Sequence, residues 1–116
     1  MFTLKRRGKN DIKAENAYEL IKNNKSNTDF IILDVRSHKE YSEAHIDNAK
    51  NIDYNARSFK TDVEKMDKTN KYLIYCLSGH RSSNALKVMT KLGFTDLHNL
   101  SGGIKNWKNL GLPLVS

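Results

Sequence analysis

Cys76, the single cysteine of this sequence, lies in the stretch best suited to do chemistry. Residues 72–75, which suit a buried strand, end directly before it. A turn containing Gly79 separates it from a run with helical spacing that begins at Ser82. Backbone N–H groups converge at a strand-to-helix turn, and the dipole of the following helix favours an anion there. Such conditions lower the pKa of a thiol, with Arg81 reinforcing the effect, so the pattern predicts a nucleophilic thiolate.

The residues that follow the cysteine form the predicted anion-binding loop. They are Leu77, Ser78, Gly79, His80, Arg81 and Ser82. Their backbone amides are candidate donors to a bound anion, and the conformational freedom of Gly79 lets the loop curl them inward. Ser78 and Ser82 offer hydroxyl groups, although Ser82 is equally explained as the N-cap of the helix. Arg81 is alternatively a surface arginine paired with an acid, and His80 is alternatively exposed loop decoration.

Outside this loop, apolar runs alternate with helical patterns. The alternation predicts an α/β fold with a parallel sheet and right-handed crossovers. Residues 30–33 form a continuous apolar run of the kind seen in strands that are covered on both faces. Further short strands are expected around residues 50–52 and within residues 94–100. Residues 2–4 form either an edge strand or part of a frayed end.

Helices are predicted where polar caps precede amphipathic spacing. Asp11 is expected to cap a helix that ends near residue 23. Ser37 and Glu40 have the spacing of a capping box, as do Thr61 and Glu64, so short helices are expected from each pair, the second ending near residue 68.

The remaining helical patterns follow Cys76. The helix that starts at Ser82 is expected to end at Leu92, with Gly93 in the C′ position. A last helix is expected to contain Ile104 and Trp107.

Asp34 and Arg36 follow the first buried run, at the end of a strand where open α/β sheets bind ligands. Both are candidates for lining the pocket, but the favoured interpretation is an ion pair that orders the next loop. Glu40 is expected to serve in its capping box rather than as a base. As an isolated histidine, His45 is a poor metal ligand and is expected to hydrogen-bond backbone in a turn.

Composition bounds the remaining possibilities. With 116 residues, the chain is expected to form one domain over residues 1–116, with a core at about 11–113. The net charge is +7, but the basic residues are scattered among acids and form no stripe interleaved with aromatic residues, which disfavours nucleic-acid binding.

No signal-peptide pattern and no run that could span a bilayer is present, so a cytoplasmic location away from membranes is expected. One cysteine excludes an internal disulfide, and no metal cluster or cofactor fingerprint stands out, so no cofactor is expected.

Several separated motifs together resemble the single-domain rhodaneses. The match spans roughly residues 11–113, and its motifs occur in family order and at similar spacing. They are residues 32–36, 40–41, 45–46, 75–82, 93–94, 100–103, Trp107 and 111–113.

The resemblance implies an α/β domain of three layers, with a mostly parallel five-stranded sheet flanked by helices. It also implies a sulfurtransferase in which the Cys76 thiolate takes the outer sulfur of a small donor such as thiosulfate. The Cys76 persulfide then passes that sulfur to a thiophilic acceptor, which is cyanide in the test tube and a thiol or protein in the cell. The alternative is a carrier or partner-binding module without turnover.

Two features of the loop refine this expectation. Phosphatases and arsenate reductases of related fold have five residues between their cysteine and arginine, whereas four separate Cys76 from Arg81. The tighter loop suits one sulfur atom better than a phosphate, so a phosphatase is the least favoured reading. Many family members also have a basic residue where this chain has Leu77. Because no second cysteine is present, the acceptor must bring its own nucleophile.

Overall fold

A computed structural model describes residues 10–116, so the edge strand or frayed end expected at residues 2–4 lies outside the described part of the chain. Strands and helices alternate along the described residues, as the hydrophobic pattern predicts. In chain order they are β1 (Asp11–Ile12), α1 (Ala14–Asn23), β2 (Phe30–Asp34), α2 (His38–Glu43), β3 (Lys50–Asn51), α3 (Phe59–Glu64), β4 (Lys71–Tyr75), α4 (His80–Lys91), β5 (Asp96–Leu100) and α5 (Gly103–Asn109).

The strands form a five-stranded sheet in the order β1-β5-β4-β2-β3, in which every neighbouring pair is parallel. This confirms the predicted parallel α/β sheet. β4 lies between β5 and β2, and its last residue, Tyr75, pairs with Asp34 at the end of β2. Because parallel strands end at the same edge, the segments that follow β2 and β4 lie side by side.

The core has two halves, one on each face of the sheet. Alternate residues of β4 serve the two halves, which is why its apolar run is continuous. Tyr72 and Ile74 pack in the half that contains α3 and α4 residues, and Cys76 belongs to the same half. Leu73 and Tyr75 pack in the half that contains α1 and α5 residues. The cysteine therefore leaves the sheet from its most deeply buried strand.

The predicted starts of α1 and α3 are wrong. Asp11 does not cap α1, because it pairs with Asn99 in β1, and the helix begins at Ala14 after Lys13. The third helix begins at Phe59 rather than Thr61, and it ends at Glu64. Phe59 is buried at helical spacing from buried Val63, so the apolar face extends one turn further back than the capping pattern indicated.

The α4 helix also starts earlier than predicted, at His80 rather than Ser82. Its N-cap is Gly79, whose φ of 111° places it in a region that glycine adopts without steric cost. Ser82 is therefore buried within the first turn and does not cap the helix. At the other end, Gly93 has a φ of 103°, as its predicted C′ position requires.

The Ser37 capping box is present as predicted. The Ser37 side chain accepts the backbone N–H of Glu40, and the Glu40 side chain accepts the backbone N–H of Ser37. Within residues 10–116, no helix combines the length and the apolar character that crossing a membrane requires.

Candidate active site

Cys76 lies at the carboxyl end of β4, and its side chain is almost fully enclosed, with 1% exposure. The backbone N–H of Gly79 donates to its Sγ over 3.1 Å. The Ser82 hydroxyl lies 3.3 Å from the same sulfur atom. The strand therefore places the sulfur at the start of α4, where the turn and the first helical residues surround it.

Two opposing effects determine the pKa of the Cys76 thiol. Burial raises it, because an enclosed site disfavours the charged form. The Ser82 hydroxyl, which is the largest of the opposing effects, and the nearby backbone N–H groups of Ser82, Gly79 and Ser78 lower it. These donors outweigh burial, so the pKa lies below that of an ordinary cysteine. The site thus stabilises the thiolate, the form in which cysteine acts as a nucleophile, more than the surroundings of an ordinary cysteine do.

The N-terminal end of α5 fixes the other side of this loop. Ile104 donates its backbone N–H to the carbonyl of Cys76 and Lys105 donates to that of Leu77, both over 3.0 Å. The contact is close because Gly103 has no side chain: a Cβ there would lie 2.3 Å from the Leu77 oxygen. These bonds give the carbonyl oxygens of Cys76 and Leu77 partners on α5, which fixes the backbone of the loop. The sequence predicted a helix that contains Ile104 but not this contact.

Arg81 is paired with Glu40 of α2. Its guanidinium forms two hydrogen bonds to the carboxylate, of 2.8 and 3.0 Å, and both side chains are partly buried. Of the two alternatives for Arg81, the pairing with an acid is therefore present. Attraction to the Cys76 thiolate also raises the Arg81 pKa, after the larger effect of the Glu40 hydrogen bond. Its positive charge therefore acts electrostatically on the sulfur, although the guanidinium is bound to the Glu40 carboxylate.

Glu40 is a site neighbour that sequence reasoning did not identify. The Arg81 hydrogen bond, assisted by the Ser37 backbone and hydroxyl, lowers the Glu40 pKa to about 2. One carboxylate therefore both caps α2 and orients an arginine of α4. The capping-box spacing predicted the first role, and no pattern in the sequence predicted the pairing with Arg81.

Asp34 and Arg36 form a buried ion pair with each other. The Nη2–Oδ2 distance is 2.7 Å, and Arg36 also donates to the Ala44 carbonyl over 2.6 Å. Its guanidinium lies over the Tyr75 ring, 5.6 Å from the centroid. Asn51 closes the same segment by donating to the carbonyls of Asp34 and Arg36. The pair thus orders the connection after β2, beside the cysteine loop.

His45 lies in the turn that follows α2. Its Nδ1 is 2.8 Å from the Tyr41 carbonyl, and the two rings stack with centroids 3.8 Å apart. Its backbone forms an antiparallel bridge to Val115, which ties the C-terminal segment to this turn.

The predicted loop residues other than Arg81 divide into two groups. Ser78, Gly79 and Ser82 contribute groups that act on the sulfur. Leu77 and His80 direct their side chains to solvent, and Leu77 is 45% exposed. Leu77 is thus an apolar group at the rim of the loop, next to the enclosed sulfur.

Known proteins that are similar to this chain in sequence or structure indicate its family. The family model described as rhodanese-like domain matches residues 14–110. Thiosulfate sulfurtransferase GlpE of Coxiella burnetii is 34% identical over 92 residues, which cover 79% of this chain and 80% of that protein. The probable adenylyltransferase/sulfurtransferase MoeZ of Mycobacterium tuberculosis is also 34% identical, but over 66% of this chain and 19% of its own length. The crystal structure of a rhodanese-related protein from Thermoplasma volcanium superposes with a TM-score of 0.78 at 30% identity, covering 90% of this chain and 96% of that one.

Proposed function

This chain belongs to the rhodanese-like family of sulfurtransferases, and we propose that it transfers sulfane sulfur through a persulfide on Cys76. One observation carries the proposal: the enclosed Sγ accepts the Gly79 amide at 3.1 Å and has the Ser82 hydroxyl at 3.3 Å. A thiolate and a persulfide are both sulfur anions, and both gain from preorganised donors in a site that excludes water.

In the first half of the reaction, the Cys76 thiolate attacks the outer sulfur of a donor such as thiosulfate. A new S–S bond forms on Cys76, the sulfur–sulfur bond of the donor breaks, and its electron pair leaves with sulfite. The thiolate is replaced by a persulfide anion, so the charge in the loop is unchanged. The donors that stabilise the first anion therefore also stabilise the second.

In the second half, a thiophilic acceptor attacks the outer sulfur of the persulfide and returns Cys76 to the thiolate. A small thiol, a protein thiol or cyanide meets this requirement, since the chain has no second cysteine. A cytoplasmic setting, where thiols stay reduced, suits this chemistry. Arg81, held by Glu40, supports the negative charge on the sulfur, while the Asp34–Arg36 pair holds the neighbouring segment in place.

The proposal is tested by thiocyanate production from saturating thiosulfate and cyanide. The wild-type protein is expected to turn over many times, and Cys76→Ser is expected to form no thiocyanate above background. Ser83→Ala is the matched control for a change near the loop. Turnover by Cys76→Ser would overturn the proposal, and a single release without turnover would favour the carrier alternative.

A further inference from the structure

The burial of Cys76 determines how much of a sulfur donor can enter the loop. Because the side chain is 1% exposed, a donor can present its terminal sulfur atom to the Sγ while the rest of the molecule stays outside the loop. The exposed side chains around the cysteine loop, which form its rim, therefore determine which donor molecules are accepted. The groups inside the loop determine how the transferred sulfur is bound.

Leu77 supplies an apolar part of that rim. It follows Cys76 directly, its side chain is 45% exposed, and the Lys105 amide fixes its carbonyl over 3.0 Å. The same carbonyl also packs closely against Gly103, so two contacts hold the backbone of Leu77. A donor body that approaches Cys76 on this side of the loop thus meets an aliphatic side chain on a fixed backbone.

The two arginines near Cys76, Arg81 of the loop and Arg36 of the neighbouring segment, are each paired with a carboxylate. Arg81 is held by both oxygens of Glu40, and the charge of Asp53 also acts on it. Arg36 is buried against Asp34. A cation with its own counter-ion attracts a second anion weakly, because the two charges of the pair largely cancel at a distance. The net charge of +7 is therefore not concentrated in these groups.

This inference rests on the proposed function and specifies its donor. We propose that the preferred sulfur donor is the persulfide of a thiol with little net charge, R–S–SH, whose organic body rests on Leu77. The Cys76 thiolate attacks the outer sulfur, the S–S bond of the donor breaks, and R–S⁻ leaves with the electron pair of that bond. The proton stays on the transferred sulfur, so atoms and charge balance without a further reactant.

Thiosulfate is disfavoured by charge. Its attack by a thiolate brings three negative charges together, whereas a protonated persulfide brings one. Beside Cys76, the exposed Leu77 offers the sulfonate end an aliphatic side chain, which cannot pair with its charge.

The test measures second-order rates of sulfur loading on Cys76 by intact-protein mass. The donors are thiosulfate and the persulfide of N-acetylcysteamine, whose body is uncharged. The proteins are the wild type and a matched pair of variants, Leu77→Lys and Leu77→Gln. Both variants place an unbranched polar chain at the same exposed position, and only lysine carries a charge. Far-ultraviolet circular dichroism checks that each variant is folded.

Wild-type protein is expected to load from the persulfide at least about tenfold faster than from thiosulfate. Thiosulfate loading is expected to be about tenfold faster in Leu77→Lys than in Leu77→Gln, the effect of a unit charge about 6 Å from a dianion in water. That advantage should shrink as salt is added. Equal thiosulfate rates in the two variants, or equal wild-type rates for the two donors, would overturn this inference alone. Loading from neither donor would overturn the proposed function itself.

Discussion

The hydroxyl of Ser82 lies 3.3 Å from the Sγ of Cys76, although six positions separate the two residues. Ser82 is fully buried in the first turn of α4, so its hydroxyl faces the sulfur rather than solvent. The turn around Gly79 makes this contact possible, because the helix starts two residues before the serine.

Replacement of Ser82 by alanine should raise the pKa of the Cys76 thiol. The Ser82 hydroxyl is the largest of the effects that lower this pKa, and burial, which raises it, would then be less opposed. Loss of a hydrogen bond to a charged group should slow alkylation near neutral pH by roughly tenfold. The ultraviolet absorbance of the thiolate reports the titration directly, since the chain has one cysteine. Ser83→Ala is the control, and a Ser82→Ala titration that matches it would contradict the role of the hydroxyl.

Replacement of Glu40 by glutamine should remove part of the acid sensitivity of the fold. Arg81 lowers the folded-state pKa of Glu40 to about 2, so the pair stabilises the protein above the ordinary carboxyl pKa of about 4.5. That stability is lost as pH falls from about 4.5 to about 2. Because both side chains are partly exposed, the contribution should be about 1 kcal/mol.

Urea unfolding at several pH values measures this effect. Glu43→Gln on the same helix is the control, since its pair with Lys39 is largely exposed. The Glu40→Gln variant should be less stable than the control at neutral pH and should converge with it near pH 2. A constant difference between the two variants across this window would argue against the proposed linkage.

Replacement of Gly103 by alanine should destabilise the protein and disturb the cysteine loop. A Cβ at this position would lie 2.3 Å from the Leu77 oxygen, and the φ of 63° adds strain. Gly111→Ala is the matched control: its φ is 73°, but nothing lies within 4 Å of its added Cβ. We expect a loss of about 1 kcal/mol for Gly111→Ala from backbone strain alone. Gly103→Ala should lose at least about 2 kcal/mol more in urea unfolding, as overpacking adds to strain. Equal losses would show that the contact with Leu77 is not tight.

Replacement of Asp34 by asparagine should be among the more damaging single changes. It leaves the Arg36 guanidinium buried without its carboxylate, and breaking a buried pair in this way costs about 3 kcal/mol. The double change Asp34→Asn with Arg36→Met should recover part of that loss, because no unpaired charge remains. Chemical denaturation of the two variants measures the difference, and a double variant less stable than the single one would contradict the explanation.

Local patterns in the sequence predicted the parts of this fold that depend on neighbours along the chain. The run of residues 72–75, Cys76, the glycine turn and the following helix is such a unit, and so is the Ser37 capping box. Periodicity and cap chemistry act over a few residues, which is why they identify these elements.

Such local patterns do not predict contacts between segments that are far apart in the sequence. Arg81 and Glu40 are 41 positions apart, and their pairing depends on how α2 lies beside α4. The contact of Gly103 with Leu77 joins two loops at the edge of the sheet. The wrong start of α3 has a related cause, since burial of Phe59 outweighed the polar cap at Thr61.

The most direct test of the central claim is the intact mass of the protein after incubation with saturating thiosulfate or an uncharged thiol persulfide. The wild-type chain should gain the mass of one sulfur atom, cyanide should remove it as thiocyanate, and Cys76→Ser should gain nothing. A wild-type chain that gains no sulfur from either donor, or a Cys76→Ser chain that does, would contradict a persulfide on Cys76.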